Sequence, residues 1–206
     1  MTRGESTEVL LAPRIRLYPA GSLAPQVEPG WLALAHLPHY VGEAVFGDGS
    51  HPTTRLCATM VDLLCRQRQP ESVLDVGTGT GVLARIARAR GAELIVATDI
   101  DLVALDCAKA HSELDEHGVS IELSAEAPDH WGARFDLVVA NILEEPLHRL
   151  APALCRALAA GGMLLLSGFT RPQTPALRVL YEGAGLTFVS ESHRDEWALL
   201  MFERTA

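Results

Sequence analysis

Three glycines and one aspartate have the spacing of a nucleoside-binding site. Gly77, Gly79 and Gly81 follow the apolar stretch 73–76 and stand directly before a segment with helical apolar periodicity. Glycine lets the backbone turn tightly and lets a ligand lie against it, and the start of a helix offers unpaired N–H groups. Asp99, twenty-two residues beyond Gly77, can accept hydrogen bonds from both hydroxyls of a ribose. The alternative is a turn that only packs a helix on a strand, with Asp99 capping the next helix.

The spacing of the glycines indicates which nucleoside is bound. A dinucleotide fingerprint, Gly-x-Gly-x-x-Gly, needs its third glycine at position 82, where this chain has Val82. The observed Gly-x-Gly-x-Gly, preceded by Asp75 and Val76, resembles the first motif of class I methyltransferases. The resemblance implies S-adenosylmethionine as the cofactor and leaves NAD as a minor alternative.

Helix and strand patterns alternate along the chain from residue 53 onward. Helical periodicity is followed repeatedly by short apolar runs bounded by turn residues. The last two runs are six residues apart, too close for a crossover, which predicts an antiparallel hairpin. We expect an α/β, Rossmann-like class I methyltransferase fold, with a mostly parallel seven-stranded sheet, a C-terminal antiparallel hairpin and helices on both faces. The predicted strands are 72–76, 93–98, 119–123, 135–140, 162–167, 186–190 and 197–202.

Two expectations concern individual helices. In the helix predicted at 81–90, the periodicity places the apolar residues inside and Arg85 and Arg88 in solvent. In the leucine-rich segment 143–158, Pro152 is expected to restart the helix at its first turn.

Composition and charge exclude several classes of protein. The chain has 206 residues, 17 Lys+Arg against 26 Asp+Glu, and a net charge of −9, so we expect no direct nucleic-acid partner. A hydrophobic content of 48% with 21% charged residues indicates a folded domain. Neither a signal peptide nor a long apolar run is evident, so we expect a cytoplasmic protein without a membrane partner. The four cysteines form no metal-binding pattern and are expected to be buried free thiols.

Four further segments resemble one methyltransferase family. They are Phe-Gly-Asp-Gly-Ser-His-Pro-Thr-Thr at 46–54, Ala-Asn-Ile-Leu-Glu-Glu-Pro-Leu at 140–147, Ser-Gly at 167–168 and Glu-Trp-Ala-Leu-Leu at 196–200. Together they are similar to the PrmA family of class I S-adenosylmethionine-dependent methyltransferases. That family methylates the eleventh protein of the large ribosomal subunit.

The resemblance implies contacts for each part of the cofactor. Thr54 would contact the methionine end, Asp99 would hold the ribose, and Asn141 would be the catalytic residue where methyl group and acceptor meet. Glu126 follows the third predicted strand and could accept a hydrogen bond from the adenine amino group. The predicted cofactor-binding set is Thr54, Asp75, Gly77, Thr78, Gly79, Asp99, Ile100, Glu126 and Asn141, and no metal is expected.

Each of these polar residues also has a structural interpretation. Thr54 opens a helix and could cap it, Asn141 could stabilise a turn, and Glu126 could be a solvated loop carboxylate. His51 is expected to be a structural or capping residue and not a base.

The expected function is methyl transfer to nitrogen in a protein, at lysine or α-amino groups of a ribosomal or other lysine-bearing protein. Two alternatives remain: a small-molecule N- or O-methyltransferase, and a non-catalytic module that binds S-adenosylmethionine. We expect a lead-in at 1–45, partly β and smaller than the family's substrate-recognition domain, followed by a methyltransferase domain at 46–206. The sequence leaves open the methyl acceptor, the methylated atom, the number of methyl groups and the oligomeric state.

Overall fold

A computed structural model describes residues 8–37, 45–115, 119–132 and 134–205. The main sheet contains seven strands: β4 (Ser72–Val76), β5 (Leu94–Thr98), β6 (Ile121–Ser124), β7 (Phe135–Asn141), β8 (Leu158–Thr170), β9 (Thr187–Arg194) and β10 (Trp197–Glu203). Their order across the sheet is β6-β5-β4-β7-β8-β10-β9. The strands from β6 to β8 pair in parallel, whereas β10 pairs antiparallel with both β8 and β9. The predicted mostly parallel sheet with a C-terminal hairpin is confirmed.

Helices cover both faces of this sheet. They are α1 (Pro52–Arg68), α2 (Val82–Ala89), α3 (Leu102–Ser112), α4 (Glu144–Ala157) and α5 (Thr174–Gly183). One buried core joins α1 and α2 to the sheet, and a second joins α4 and α5 to the opposite face. Alternate residues of β4 show the division, since Val73 belongs to the first core and Leu74 to the second.

A second, three-stranded sheet precedes α1. It contains β1 (Val9–Ala12), β2 (Ile15–Pro19) and β3 (Leu32–His36), with β1 antiparallel and β3 parallel to β2. The apolar runs at 14–18 and 31–37 predict strands near β2 and β3, whereas β1, with only four residues, shows no such run. The inward side chains of this sheet, such as Leu11 and Ile15, join the core under α1 and α2. The predicted domain boundary at residue 45 stays a prediction.

The expected exposure of Arg85 and Arg88 is wrong. Arg85 is 1% exposed and Arg88 8% exposed, because α2 is covered by the N-terminal sheet and by the segment after α3. Arg85 donates to both oxygens of Asp115, at 2.8 and 2.7 Å, and to the Ala35 carbonyl at 2.7 Å. Arg88 donates to the same carboxylate and to the Ser112 carbonyl. A buried guanidinium group needs an opposite charge and hydrogen-bond acceptors. Asp115 supplies the charge, and its carboxylate and the backbone carbonyls, distant in sequence, accept the hydrogen bonds.

Three smaller observations complete the fold. Pro152 lies inside a continuous α4 and does not restart it, which corrects the expectation. Cys57, Cys65 and Cys107 are buried free thiols, as predicted, whereas Cys155 is half-buried. Within the described residues, no helix is both long and apolar enough to cross a membrane.

Candidate active site

A cavity of about 680 Å³ opens at the carboxyl ends of the parallel strands. Loops after β4, β5, β6 and β7 form much of its wall. The segment before α1, residues of α1, α3 and α4, the end of β8 and the first residue of β10 also contribute. The volume lies within the range of small-molecule and cofactor pockets. Of the nine predicted cofactor residues, six line this cavity: Gly77, Gly79, Asp99, Ile100, Glu126 and Asn141.

The three glycines of the loop have positive φ angles, of 71°, 53° and 76° at Gly77, Gly79 and Gly81. A Cβ at Gly77 would overlap Ile142 Cγ2, one at Gly79 would overlap the Phe46 carbonyl, and one at Gly81 would lie 3.1 Å from Ala108 Cβ. A tight turn and a close ligand were the expected reasons for these glycines. The turn is present, but the atoms that exclude a side chain belong to the protein itself.

Asp75 lies beneath the glycine loop and does not line the cavity. One carboxylate oxygen, Oδ2, accepts from the Thr78 hydroxyl at 2.7 Å and from the Ala84 amide at 3.2 Å. The other, Oδ1, has no hydrogen-bond partner among the described residues. Burial raises the pKa of Asp75 to about 6. In this structure Asp75 and Thr78 support the loop, and their predicted contacts with the cofactor stay predictions.

Asp99 faces the cavity at the end of β5. Its Oδ2 accepts from the Gly79 amide at 3.0 Å and its Oδ1 from the Asp101 amide at 3.0 Å. A carboxylate offers about four acceptor positions, so lone pairs remain for two hydroxyl groups. The cap of α3 is Asp101, which accepts from the Val103 amide at 2.9 Å. Asp99 is therefore not the helix cap that the alternative interpretation required.

Ile100 and Glu126 lie at the same side of the cavity. Ile100 is 95% exposed although it is fully apolar, and Glu126 is exposed on the loop after β6. An exposed isoleucine at a cavity wall can cover the face of a planar ring. The Glu126 side chain has no ion pair among the described residues, which is compatible with a contact to adenine or with a solvated carboxylate.

Asn141, in the sheet, and Thr54, in the adjacent helix α1, lie near the other end of the cavity. Asn141 ends β7, is 9% exposed, and its Oδ1 has no partner in the described part of the chain. The Thr54 hydroxyl is also buried and without a described partner, but it is Thr53 that lines the cavity. Capping of α1 belongs to His51, whose Nδ1 accepts from the Thr53 amide at 3.3 Å. The expected capping role of His51 is confirmed, and the contacts of Thr54 and Asn141 with a ligand stay predictions.

Register places these polar groups on one face of the sheet. Asp75 pairs with Val139, two residues before Asn141, and Asn141 pairs with Ser167 on β8. Side chains two residues apart on a strand point to the same face. Asp75, Asn141 and Ser167 therefore lie on the face that α1 and α2 cover, and α1 carries Thr54. Buried oxygens without partners are rare in folded proteins and often mark a functional site.

An aromatic wall, for which the sequence predicts no ligand role, lines this end of the cavity. Phe46, His51 and Trp197 all line the cavity. The His51 ring centroid lies 5.1 Å from that of Phe46 and 4.6 Å from that of Trp197. The three residues lie in segments already singled out by their resemblance, but nothing in their spacing shows that they meet. No cluster of three or more potential metal ligands occurs within the residues that the structure describes.

The glycine loop, the carboxylate after the next strand and the terminal antiparallel hairpin define the architecture of class I methyltransferases. The N-methyltransferase NodS from Bradyrhizobium japonicum shares this fold, with a TM-score of 0.59 at 17% identity over 76% of this chain and 99% of that chain. A ribosomal protein L11 methylase from Lactobacillus delbrueckii subsp. bulgaricus superposes with a TM-score of 0.83 at 27% identity. It covers 97% of this chain and 99% of that one. The predicted fold class is confirmed.

Sequence comparison identifies the family within this class. The family model "Ribosomal protein L11 methyltransferase (PrmA)" matches residues 42–205, and the chain belongs to this family. The ribosomal protein L11 methyltransferase of Rhodopseudomonas palustris is 38% identical over 166 residues, which are 78% of this chain and 56% of the relative. That of Geobacter sulfurreducens is 41% identical over 157 residues, 76% and 51% respectively. The chain thus spans about half the length of the curated relatives it matches.

Proposed function

We propose that this chain is an S-adenosylmethionine-dependent methyltransferase that modifies nitrogen in a protein substrate. The observation that carries the proposal is one cavity with two polar ends. Asp99 has free acceptor positions at one end, and Asn141 presents an unpartnered oxygen at the other. A ligand with a ribose at one end and a reactive polar group at the other fits this arrangement.

The residues present fit the proposed cofactor in the following way. Asp99 would accept from the two ribose hydroxyls, and Ile100 and Glu126 would contact the adenine. The Gly77 and Gly79 backbone would lie along the centre of the molecule, and the methionine end would reach Asn141. Thr54, Asp75 and Thr78 lie behind this wall and would support it from below.

The bound cofactor supplies an electrophilic methyl group on a sulfonium sulfur. Transfer of this methyl group to an acceptor nitrogen would form a C–N bond, leave the electron pair of the C–S bond on sulfur and release one proton from the nitrogen. Most of the acceleration should come from alignment of the reacting atoms. Asn141 would accept a hydrogen bond from the amine and orient its lone pair.

Deprotonation of the acceptor is the main energetic cost for lysine. The side-chain amine of a lysine in water has a pKa of about 10.4, so presentation of the neutral amine at pH 7 costs about 4.6 kcal/mol. The Phe46, His51 and Trp197 wall would exclude water around the amine, and burial lowers the pKa of an amine. A neighbouring positive sulfonium acts in the same direction.

The proposed substrate is ribosomal protein L11, which the matching relatives carry in their names. The net charge of −9 suits a basic protein substrate. A cytoplasmic location is part of the proposal, and free thiols throughout the described cysteines support it. We expect no direct contact with nucleic acid or membrane.

Two measurements test this proposal. Calorimetry with S-adenosylhomocysteine and with NAD should show binding of the first only, and NAD binding would overturn the cofactor assignment. Methyl-labelled S-adenosylmethionine should then label purified L11 and no component of a metabolite extract. Labelling of metabolites alone would indicate a small-molecule methyltransferase, and tight binding with no labelling would indicate a binding module.

A further inference from the structure

Ile142, the residue after Asn141, contacts both sides of the reacting end of the cavity. It lines the cavity, is half-buried, and packs against the core under α4 and α5. Its Cγ2 methyl occupies the space where a Cβ of Gly77 would lie. Its carbonyl group occupies the space where a Cβ of Gly168 would lie. Ile142 therefore separates the glycine loop from the end of β8.

The backbone of Ile142 is held firmly on the β8 side. Its amide donates to the Ser167 carbonyl at 3.1 Å, and its N atom would lie 2.9 Å from a Cβ at Gly168. On the other side, the Gly77 amide donates to the Thr98 carbonyl at 2.8 Å, which ties the loop to β5. The Ile142 side chain closes the remaining gap between these two anchored segments.

Asn141 depends on this arrangement for its position. Its Oδ1 has no partner among the described residues, so that oxygen is not held by a hydrogen bond of its own. Its backbone is fixed through β7 and through the Ile142 amide that follows. A branched side chain has few χ1 rotamers, so Cγ2 of Ile142 holds a defined distance to Gly77.

We propose that Ile142 is a positioning residue that sets the separation between the glycine loop and Asn141. Through this separation it controls the rate of methyl transfer more than the affinity for the cofactor. The inference rests on the proposed function, because it assigns Ile142 a part in that same reaction. The contact between Ile142 and Gly77 on which it depends can be tested without measuring turnover.

The first experiment compares two substitutions that remove different atoms. Ile142→Leu keeps the side-chain atom count and removes the branch at Cβ, and Ile142→Val keeps the branch and removes Cδ1. Single-turnover labelling of L11 and calorimetry with S-adenosylhomocysteine are measured for both. We expect Ile142→Leu to slow transfer about 30-fold with less than about a threefold change in Kd, and Ile142→Val to slow it less.

The matched control removes a branch at Cβ from a side chain that contacts neither the glycine loop nor the cavity. Val179 is 71% exposed on α5 and does not line the cavity, so Val179→Leu should leave rate and affinity unchanged. Slowing by Ile142→Val that equals or exceeds the slowing by Ile142→Leu would show that the branch at Cβ does not set the rate. An affinity that falls in parallel with the rate would assign Ile142 to binding. Either result overturns the proposal.

A second experiment tests the contact without any turnover. Gly77→Ala should lower the Tm, because its Cβ meets Ile142 Cγ2 and its φ of 71° disfavours a side chain. Adding Ile142→Ala removes Cγ2 and should restore part of that Tm, since Ile142 Cβ lies 3.7 Å from the added atom. Additive losses would overturn the proposed contact. A wild-type protein that binds S-adenosylhomocysteine but labels no L11 contradicts the proposed function, and this second experiment then decides the role of Ile142 as a spacer.

Discussion

The two ends of the cavity are built in different ways. Apart from the loop after β6 that carries Glu126, the ribose end consists of residues close in sequence, from Asp75 to Asp101. Asp75, Asp99 and Asp101 accept from nearby backbone or hydroxyl groups. The reacting end brings together residues from 46 to 197, and the Asn141 oxygen there has no partner in the described residues. The ribose end is therefore prepared locally, whereas the reacting end depends on the packing of several elements. An end built from local contacts can hold a cofactor that does not change, whereas an end assembled from distant segments can be adapted to a particular methyl acceptor.

The largest expected effect is at the reacting end. Asn141→Ala should lower turnover about 100-fold or more, because the only polar group proposed to orient the amine is lost. The Kd for S-adenosylhomocysteine should change by much less. Labelling of L11 at saturating cofactor measures the first quantity and calorimetry the second. If affinity falls as far as turnover, the distinction between the two ends fails.

The opposite pattern is expected at the ribose end. Asp99→Ala should raise the Kd for S-adenosylhomocysteine about 10- to 100-fold, because two charge-assisted hydrogen bonds are lost. At saturating cofactor, turnover should stay close to that of the wild type. Equal losses of turnover in Asp99→Ala and Asn141→Ala would contradict this division of roles.

Asp75 gives the ribose end a defined pH dependence. Burial raises the pKa of Asp75 from 3.8 to about 6 in the folded state. At pH values between these two, the folded state therefore binds more protons than the unfolded state. Stability from this group is therefore present below about pH 4 and is lost as the pH rises through 6. Between pH 5 and pH 7 the loss is about 1.4 kcal/mol.

Comparison with Asp75→Asn isolates this contribution. Asparagine keeps an acceptor for Thr78 and Ala84 but does not titrate. His111, whose pKa burial lowers to about 4, changes stability in the opposite direction and cancels in the difference between the two proteins. Urea unfolding at pH 5 and pH 7 measures the difference. Identical pH dependence in both proteins would show that Asp75 is not perturbed.

The smallest effect concerns the support of the loop. Thr78→Val removes the hydroxyl that donates to Asp75 at 2.7 Å and keeps the shape of the side chain. We expect a loss of about 1 kcal/mol in the free energy of unfolding, with little change in turnover at saturating cofactor. A large change in turnover would mean that Thr78 contacts the ligand directly, as the resemblance implied.

Much of the ribose end was accessible from the sequence because its contacts are local. The glycine loop, Asp99 and the strand between them follow one another within 23 residues, and a parallel sheet places strand ends at one edge. The roles of individual residues were less accessible. Asp75 and Thr78 belong to the same motif as Gly77, but only the structure shows that they lie beneath the loop.

The errors at Arg85, Arg88 and β1 have a common physical cause. Helical periodicity assigns charged residues to solvent, and Arg85 and Arg88 are buried because Asp115 and the Ala35 carbonyl, far away in the sequence, satisfy them. The strand β1 is too short to show a pattern and is stabilised by pairing with β2. Sequence patterns report local preferences, whereas these features depend on contacts between distant segments.

The amino-acid sequence by itself determined the α/β alternation, the terminal hairpin, the nucleoside motif and the family. Each of these follows from residue types and spacings within short segments of the chain. Only the tertiary structure decided which residues face the cavity and which lie behind it. It also brought Phe46, His51 and Trp197 into one wall and placed Ile142 between Gly77 and Gly168. The physical reason is that such contacts arise from the packing of segments up to about 150 residues apart, whose approach no local pattern encodes.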